Sequence, residues 1–368
     1  MKKILFLGGL GCGGAESQMT TIAALLSNDN YDITFIYSGD EEYCASNLCN
    51  TNVKLTKISV PSVLIRLKLS YVYLFCRVYK IVVYEKISTI ISFLDVWNLL
   101  ACSIAAISGK RVKAIIGIRN ARSDKYTSFK GKINSSMNKY ASAIVSNSHC
   151  AIDTYKKYLK HDNVSFHTIY NIVKPLHILS KYIPLVNEKT HICISASYRD
   201  VKNPYRLIEA VHMLTQDEQS RLSISWYGNI AVTDSIVYNK MYTLIKTYEL
   251  EDCIKLYDAT DQIADKMYQS DFVGLFSTSE GLPNSICEAM SLGKPVIMTR
   301  VSDYKILVKE NISGFLCDPL NPTSIASALR MCISKSKEDI RCMGIEAKRM
   351  SDRLFATSSI LEEWKNLI

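Results

Sequence analysis

The stretch KKILFLGGLGCGGAESQ, Lys2–Gln18, sets a short apolar run against a glycine-rich turn and the start of a helical pattern. The same order returns half a chain later in HICISASYRDVKNPYRLIEA, His191–Ala210. Ile4–Leu7 is too short for the apolar core of a secretory signal and reads as a strand buried on both faces. Outward from these two starts, short apolar runs alternate with longer helical patterns. DITFIYS, TIISF, VKAIIGIR, AIVSNS and FHTIYN follow the first; LSISWYG, CIKLYD, DFVGLFST, KPVIMTR and GFLCDP follow the second. With helices expected over Ala15–Ser27 and Pro204–Leu214, this is βαβ grammar, an α/β chain of two doubly wound parallel sheets.

A chain of 368 residues with 48% hydrophobic content exceeds what one core usually holds. The polar stretch from Ile172 to Lys189, with Pro175 and Pro184, is the expected linker, giving domains over 1–183 and 184–350 and a terminal segment over 351–368. Twelve cysteines stand singly, without C-x-x-C or zinc spacing, which suits a reducing cytoplasm. In ISTIISFLDVWNLLACSIAAI, Ile87–Ile107, Asp95 and Asn98 would lie near a bilayer centre, where a carboxylate costs about 2.5 to 3.5 kcal/mol. A buried strand and a buried helix are expected there, not a membrane span. The net charge of +9 divides as +12 over residues 1–185 and −3 over 186–368. That asymmetry points to a polyanionic partner or an anionic membrane surface. Without a helix-turn-helix, zinc-finger or RNP pattern, nucleic acid is not expected.

Two segments carry chemistry. Gly9-x-Gly11-x-x-Gly14 matches a dinucleotide fingerprint in letters, with Asp40 as the ribose acid, but Asp40 lies 26 residues past Gly14, later than usual. The competing reading is a glycine-rich turn that brings a ligand to backbone amides at a helix N-terminus. In SEGLPNSICEAMSLGKPVI, Ser279–Ile297, Glu280 and Glu288 stand eight residues apart. A paired acid and base on one glycosidic bond need carboxyls about 5 to 10 Å apart, whereas eight helical residues rise about 12 Å. Gly281 and Pro283 put Glu280 in a loop entering the helix, so the two carboxylates read as two grips on one long ligand. Arg199 and Lys202, alone, read as solvated surface charges. Beside Glu280 and Glu288 they complete what a nucleotide-sugar requires, cations for phosphates and carboxylates for hydroxyls.

On these residues the chain resembles the family 4 glycosyltransferases of the GT-B fold. The likeness rests on the GGAE loop (Gly13–Glu16), the strand end at Tyr170 and Asn171, the R-x-x-K loop of Arg199 and Lys202, and the E-x7-E element SEGLPNSICE. It implies two Rossmann-like domains facing a central cleft, the first holding the acceptor and the second the donor, with the last helix, Ser359–Leu367, packed back on the first. By resemblance Glu280 contacts the donor sugar, the backbone of Gly281, Leu282, Pro283 and Asn284 lines the sugar and phosphate with the amides of all but the proline as donors, and Glu288 binds ribose. Gly13, Gly14 and Ser197 are further donor-side candidates; Glu16, Arg119 and Asn120 are acceptor-side candidates. Two departures stand out. The family's arginine lies five residues before its lysine, where this chain has Ser197, while Arg199 is three before. The histidine that many members carry after the strand reading AIIGIRNARSD here is replaced by Arg119, Asn120 and Arg122.

The implied activity is retaining transfer of a hexosyl unit from a nucleotide-sugar, expected to be a UDP-sugar, to a glycan or polyprenyl-diphosphate-linked acceptor in surface polysaccharide synthesis. No D-x-D stands at a strand end, so no metal and no other cofactor is expected; Lys202, Arg199 and the helix N-terminus after Pro283 would oppose leaving-group charge. An NAD(P)-dependent oxidoreductase using Gly9, Gly11, Gly14 and Asp40, a GT-B nucleotide-sugar epimerase and a non-catalytic sugar-nucleotide sensor stay open. Finally, a helix over Pro61–Lys86 would gather Arg66, Ser70, Tyr73, Arg77 and Lys80 into one stripe among apolar and aromatic residues. That pattern suits an interfacial helix on the inner face of a membrane, and equally a helix packed on the sheet with a solvated basic edge.

Overall fold

The computed structural model describes residues 2–11, 13–119, 129–158, 164–174, 176, 178, 189–230 and 235–368. The chain separates into two compact units, Met1–Ile172 together with Thr357–Ile368, and Val173–Ala356. The expected boundary at 183/184 lies outside the described residues.

The first unit is built on a parallel sheet of seven strands: β1 (Lys3–Gly8), β2 (Asp32–Tyr37), β3 (Lys54–Lys57), β4 (Thr89–Ser92), β5 (Lys113–Ile118), β6 (Ala143–Ser146) and β7 (Ser165–Thr168), in the order β3-β2-β1-β4-β5-β6-β7. The second unit has six: β8 (Thr190–Ser195), β9 (Leu222–Tyr227), β10 (Ile254–Tyr257), β11 (Phe272–Leu275), β12 (Val296–Thr299) and β13 (Gly314–Cys317), in the order β10-β9-β8-β11-β12-β13. In both, the chain starts at a central strand, winds to one edge, returns and winds to the other. The winding reverses between β1 and β4 and again between β8 and β11, and in such sheets ligands bind outside the carboxyl ends at that point. The strands are near-continuous apolar runs because both faces are covered; Ile4, Leu5, Phe6 and Leu7 are fully buried.

One strand departs from the sequence reading. β3, KLTK, is an edge strand with a lysine at each end and no buried residue, so it lacks the apolar signature by which its neighbours are recognised.

The helices of the first unit are α1 (Gly14–Asn28), α2 (Ser62–Arg66), α3 (Ser70–Glu85) and α4 (Asp95–Ser108), followed by further helices including Thr357–Leu367. The Ile87–Ile107 stretch is β4 followed by α4, and among the described residues no helix is long and apolar enough to cross a membrane. The single helix expected over Pro61–Lys86 is corrected: it breaks into α2 and α3. Lys68 takes the left-handed conformation (φ 56°), its amide donates to Ile65 O (3.0 Å) and that of Leu69 to Leu64 O (2.8 Å). These two bonds make a Schellman stop, formed without glycine and so invisible to periodicity. Arg66 therefore leaves the stripe; on α3, Leu74, Val78 and Val82 bury one face while Arg77 and Lys80 are exposed.

Candidate functional site

In the second unit the two segments singled out by sequence leave adjacent strands at the reversal point. β8 runs out through Ser197 and Arg199 into a short 3-10 turn, Asp200–Lys202; β11 runs out through Ser277 and Glu280 into the helix Asn284–Ser291. Tyr198 is fully buried and its hydroxyl donates to Tyr257 O (2.6 Å) and Trp226 O (3.1 Å), pinning the first loop to the ends of β10 and β9. The amide of Thr278 donates to Val201 O at 2.9 Å and ties the loops together.

That tie brings Lys202 and Glu280 into contact. Lys202 Nζ lies 2.6 Å from Glu280 Oε1, with side chains 22% and 15% exposed, and Ser277 Oγ donates to the same oxygen at 2.6 Å. Glu280 Oε2 has no hydrogen-bond partner among the described residues, so one oxygen is held while the other is left to accept from a ligand. Arg199 is exposed, and it is Lys202, not Arg199, that the fold brings to Glu280. Ser197 is half-buried.

The element after Glu280 is held from behind. Gly281 O accepts from Ser302 Oγ, and Ser277 O accepts from Thr299 Oγ1 at 2.6 Å. Gly281, Leu282 and Pro283 are buried. Pro283 is the N-cap and no side chain caps the helix, so its N-terminal amides and the positive end of its dipole suit an anion. The carboxyl of Glu288, one turn in, makes no hydrogen bond or ion pair with a described residue, and burial pushes it up to about 7. A desolvated carboxyl without a donor is costly unless a ligand supplies one. Ser277, Thr299, Ser302 and Asn203 escaped the sequence reading. Asn203, left-handed at φ 60°, fixes the entry of the following helix by donating to Pro319 O (2.7 Å) and accepting from Arg206 (2.9 Å); only the hydroxyl run at 277–279 hinted at support for Glu280.

A cavity of about 670 Å³ lies at the opposite, amino end of β11 and β12. Lys337 and Asp271 there pair with each other at 2.7 Å, as do Arg341 and Glu338 at 2.6 Å. The uncapped helix and unsatisfied carboxyls are at the carboxyl end.

In the first unit, the loop after β1 enters α1 at Gly13 and Gly14. A side chain at Gly13 would meet Glu16 Oε2 at 2.2 Å, and one at Gly9 would meet Glu16 Oε1 at 3.7 Å, so the Glu16 carboxylate folds back over the loop at the helix N-terminus. It would repel a pyrophosphate there. Asp40 is fully exposed and pairs with Lys57 at 3.3 Å, as a solvated surface charge does. Arg119, just past β5, stacks on Phe93 and donates to Asn171 Oδ1 at 3.0 Å; burial pushes its guanidinium down to about 9. Asn120 and Arg122 lie outside the described residues. No group of three His, Cys, Asp or Glu side chains that could hold a metal ion occurs among the described residues.

Residues 179–350 match the family described as Glycosyl transferases group 1. The N-acetyl-alpha-D-glucosaminyl L-malate synthase of Bacillus anthracis is 24% identical over 228 residues, 60% of this chain and 57% of that protein. An uncharacterized glycosyltransferase of Haemophilus influenzae is 22% identical over the whole of both chains. Among solved structures, Anabaena Alr3699/HepE in complex with UDP superposes with a TM-score of 0.80 at 16% identity, covering 100% of this chain and 99% of that one.

Proposed function

Since the chain is a glycosyltransferase of the GT-B fold with its group 1 domain in residues 179–350, we propose that it moves a hexosyl unit from a UDP-sugar to a glycan or lipid-linked acceptor in surface polysaccharide synthesis, as a member of family 4. The observation that carries this is the pairing of Lys202 with Glu280 at the reversal point of the second sheet, beside an uncapped helix that carries Glu288 one turn in. Glu288 takes the ribose hydroxyls and Glu280 Oε2 a hydroxyl of the donor sugar. The amides of Gly281, Leu282 and Asn284 and the ammonium of Lys202 take the diphosphate around Pro283, which has no N–H, with Ser197 and Arg199 at its edge. As the bond to the anomeric carbon breaks, negative charge grows on the departing diphosphate, and a fixed cation and helix dipole stabilise it more than the ground state. Retention follows when an acceptor hydroxyl attacks the anomeric carbon on the face the diphosphate leaves, its proton passing to the departing phosphate oxygen, with no enzyme nucleophile.

In the first unit Glu16, Arg119 and Asn120 serve the acceptor. The acceptor-bearing unit works against an anionic membrane surface through α2 and α3, where Val63, Ile65, Leu67 and Val72 are exposed beside Arg66, Lys68, Arg77 and Lys80. The oxidoreductase reading is disfavoured by the Glu16 carboxylate at the fingerprint helix and by the solvent-exposed, ion-paired Asp40. A thermal-shift panel of UDP-, GDP- and dTDP-sugars against NADH tests the reading. A ligand at 100 times its Kd adds about 2.7 kcal/mol, expected for a UDP-sugar alone; stabilisation by NADH without any sugar-nucleotide effect overturns it.

A further inference from the structure

We propose that the carboxyl ends of β5 and β6 form an oxyanion subsite: the Nε–Nη2 edge of Arg119 takes a carboxylate or phosphate of a polyhydroxylated molecule, and the side-chain carbonyl of Asn147 accepts one of its hydroxyls. That this molecule is the acceptor rests on the transferase reading; the subsite itself does not.

The orientation of Arg119 is over-determined. Its guanidinium carbon stands 3.5 Å from the centroid of the Phe93 ring, a stacked cation–π contact. Phe93 is in turn fixed by Gly117, where a side chain would come within 2.4 Å of the ring, and by Trp364 at 5.7 Å between ring centroids. Nη1 is engaged by Asn171 Oδ1 at 3.0 Å. Nε and Nη2 are buried and have no hydrogen-bond partner among the described residues. These two nitrogens share one edge of the guanidinium, and their N–H bonds run parallel. Elsewhere in this chain that same edge is how Arg341 grips Glu338, at 2.9 and 2.6 Å. An edge of that geometry matches the two oxygens of a carboxylate or phosphate. Buried donors on a cation are rarely left unmade, and each such case calls for a reason.

Asn147 is an independent second observation. It is 4% exposed, and its Oδ1 is buried without a partner. Ile118 and Ser146 are register partners in β5 and β6, so Arg119 and Asn147 leave adjacent strands at the same level. Both lie at the carboxyl end of the sheet, where ligands of such sheets are bound, Arg119 one strand beyond β4 at the reversal point and Asn147 two. One orphan is a charged double donor and the other a neutral acceptor, which together select an anion that also carries hydroxyl groups. A guanidinium placed only to pack on Phe93 would show no preference for anions.

The test is calorimetric titration of the full chain with p-nitrophenyl β-D-glucuronide, glucose 6-phosphate and the neutral p-nitrophenyl β-D-glucoside, with UDP titrated alongside. The wild type is expected to bind at least one anionic probe tenfold or more tightly than the glucoside, and the stronger of the two identifies carboxylate or phosphate. R119Q should erase the anion preference. R119K, which keeps the charge without the fork, should retain only part of it, and N147L should weaken charged and neutral probes by the same factor. Equal binding of the glucoside, failure of both anionic probes to bind, or an R119Q protein that keeps the preference overturns the subsite. UDP separates the two readings: Arg119-dependent anion binding in a protein that ignores UDP leaves the subsite and removes the UDP-sugar reading, and the reverse result removes only the subsite.

Discussion

Replacing Glu288 by glutamine should make the unliganded protein more stable and a poorer binder of UDP. Burial holds the carboxyl near 7, above the 4.5 usual for a glutamate. The sign follows directly: the folded state holds a proton that the unfolded state releases, so this group costs stability as pH rises from 4.5 through 7. Above pH 8 that costs at most about 3 kcal/mol. Water at the partly exposed side of Glu288 reduces this to about 1 to 2 kcal/mol. Glutamine carries no such charge, so the variant should unfold about 2 to 8 °C higher at pH 8, and the difference should vanish near pH 4.5. Binding should move the other way. Charge-assisted hydrogen bonds from ribose hydroxyls contribute about 1.5 to 3 kcal/mol, so UDP affinity at pH 8 should fall roughly tenfold to a hundredfold. Wild-type affinity should also rise relative to the variant as pH passes 7, the titration of UDP itself being common to both. Thermal unfolding and calorimetric titration at pH 5 and 8 decide the matter. A variant with no stability gain at pH 8, or with unchanged UDP affinity, would refute the assignment of Glu288 as a carboxylate waiting for a ligand.

Three further outcomes follow from the same structure. Lys202→Ala and Glu280→Ala should each destabilise the second unit, and the double variant should lose less than the sum, with a coupling of at least about 0.5 kcal/mol in urea unfolding; strict additivity would dissolve the pair. Gly117→Ala should cost about 1 to 3 kcal/mol by driving a methyl into the Phe93 ring, and a change under about 0.5 kcal/mol would mean the ring is not fixed as described. Wild-type protein should float with anionic vesicles at low salt and less with neutral ones, and charge reversal at Arg66, Arg77 and Lys80 should release it; wild type that stays unbound excludes the membrane surface.

The parts legible in the sequence were those set by local pattern. An apolar run such as ILFL must be covered on both faces, and Gly281 and Pro283 force Glu280 out of the helix that follows, so the loop, the helix and the order of their carboxylates could be read directly. What could not be read depends on which distant atoms meet. Lys202 and Glu280 are 78 positions apart, and nothing in their spacing says that one would take an oxygen of the other and leave the second oxygen open. Sequence makes Arg119 an acceptor-side candidate in place of a histidine but does not show its orphaned edge, which exists because Phe93, Gly117 and Asn171 converge on it. The break at Lys68 was hidden for a different reason, since a lysine in the left-handed region carries none of the glycine signal by which helix ends are found. β3 was hidden because an edge strand protected by lysines is selected not to look like a core strand.

The central claim, that the nucleotide is held by the second unit at the β8/β11 reversal point, is tested most directly by a crystal structure of the chain with UDP. The account predicts ribose hydroxyls on Glu288 and the diphosphate against the amide end of the helix Asn284–Ser291 and Lys202. Electron density for the nucleotide on the glycine-rich loop before α1, with the second unit empty, would contradict it.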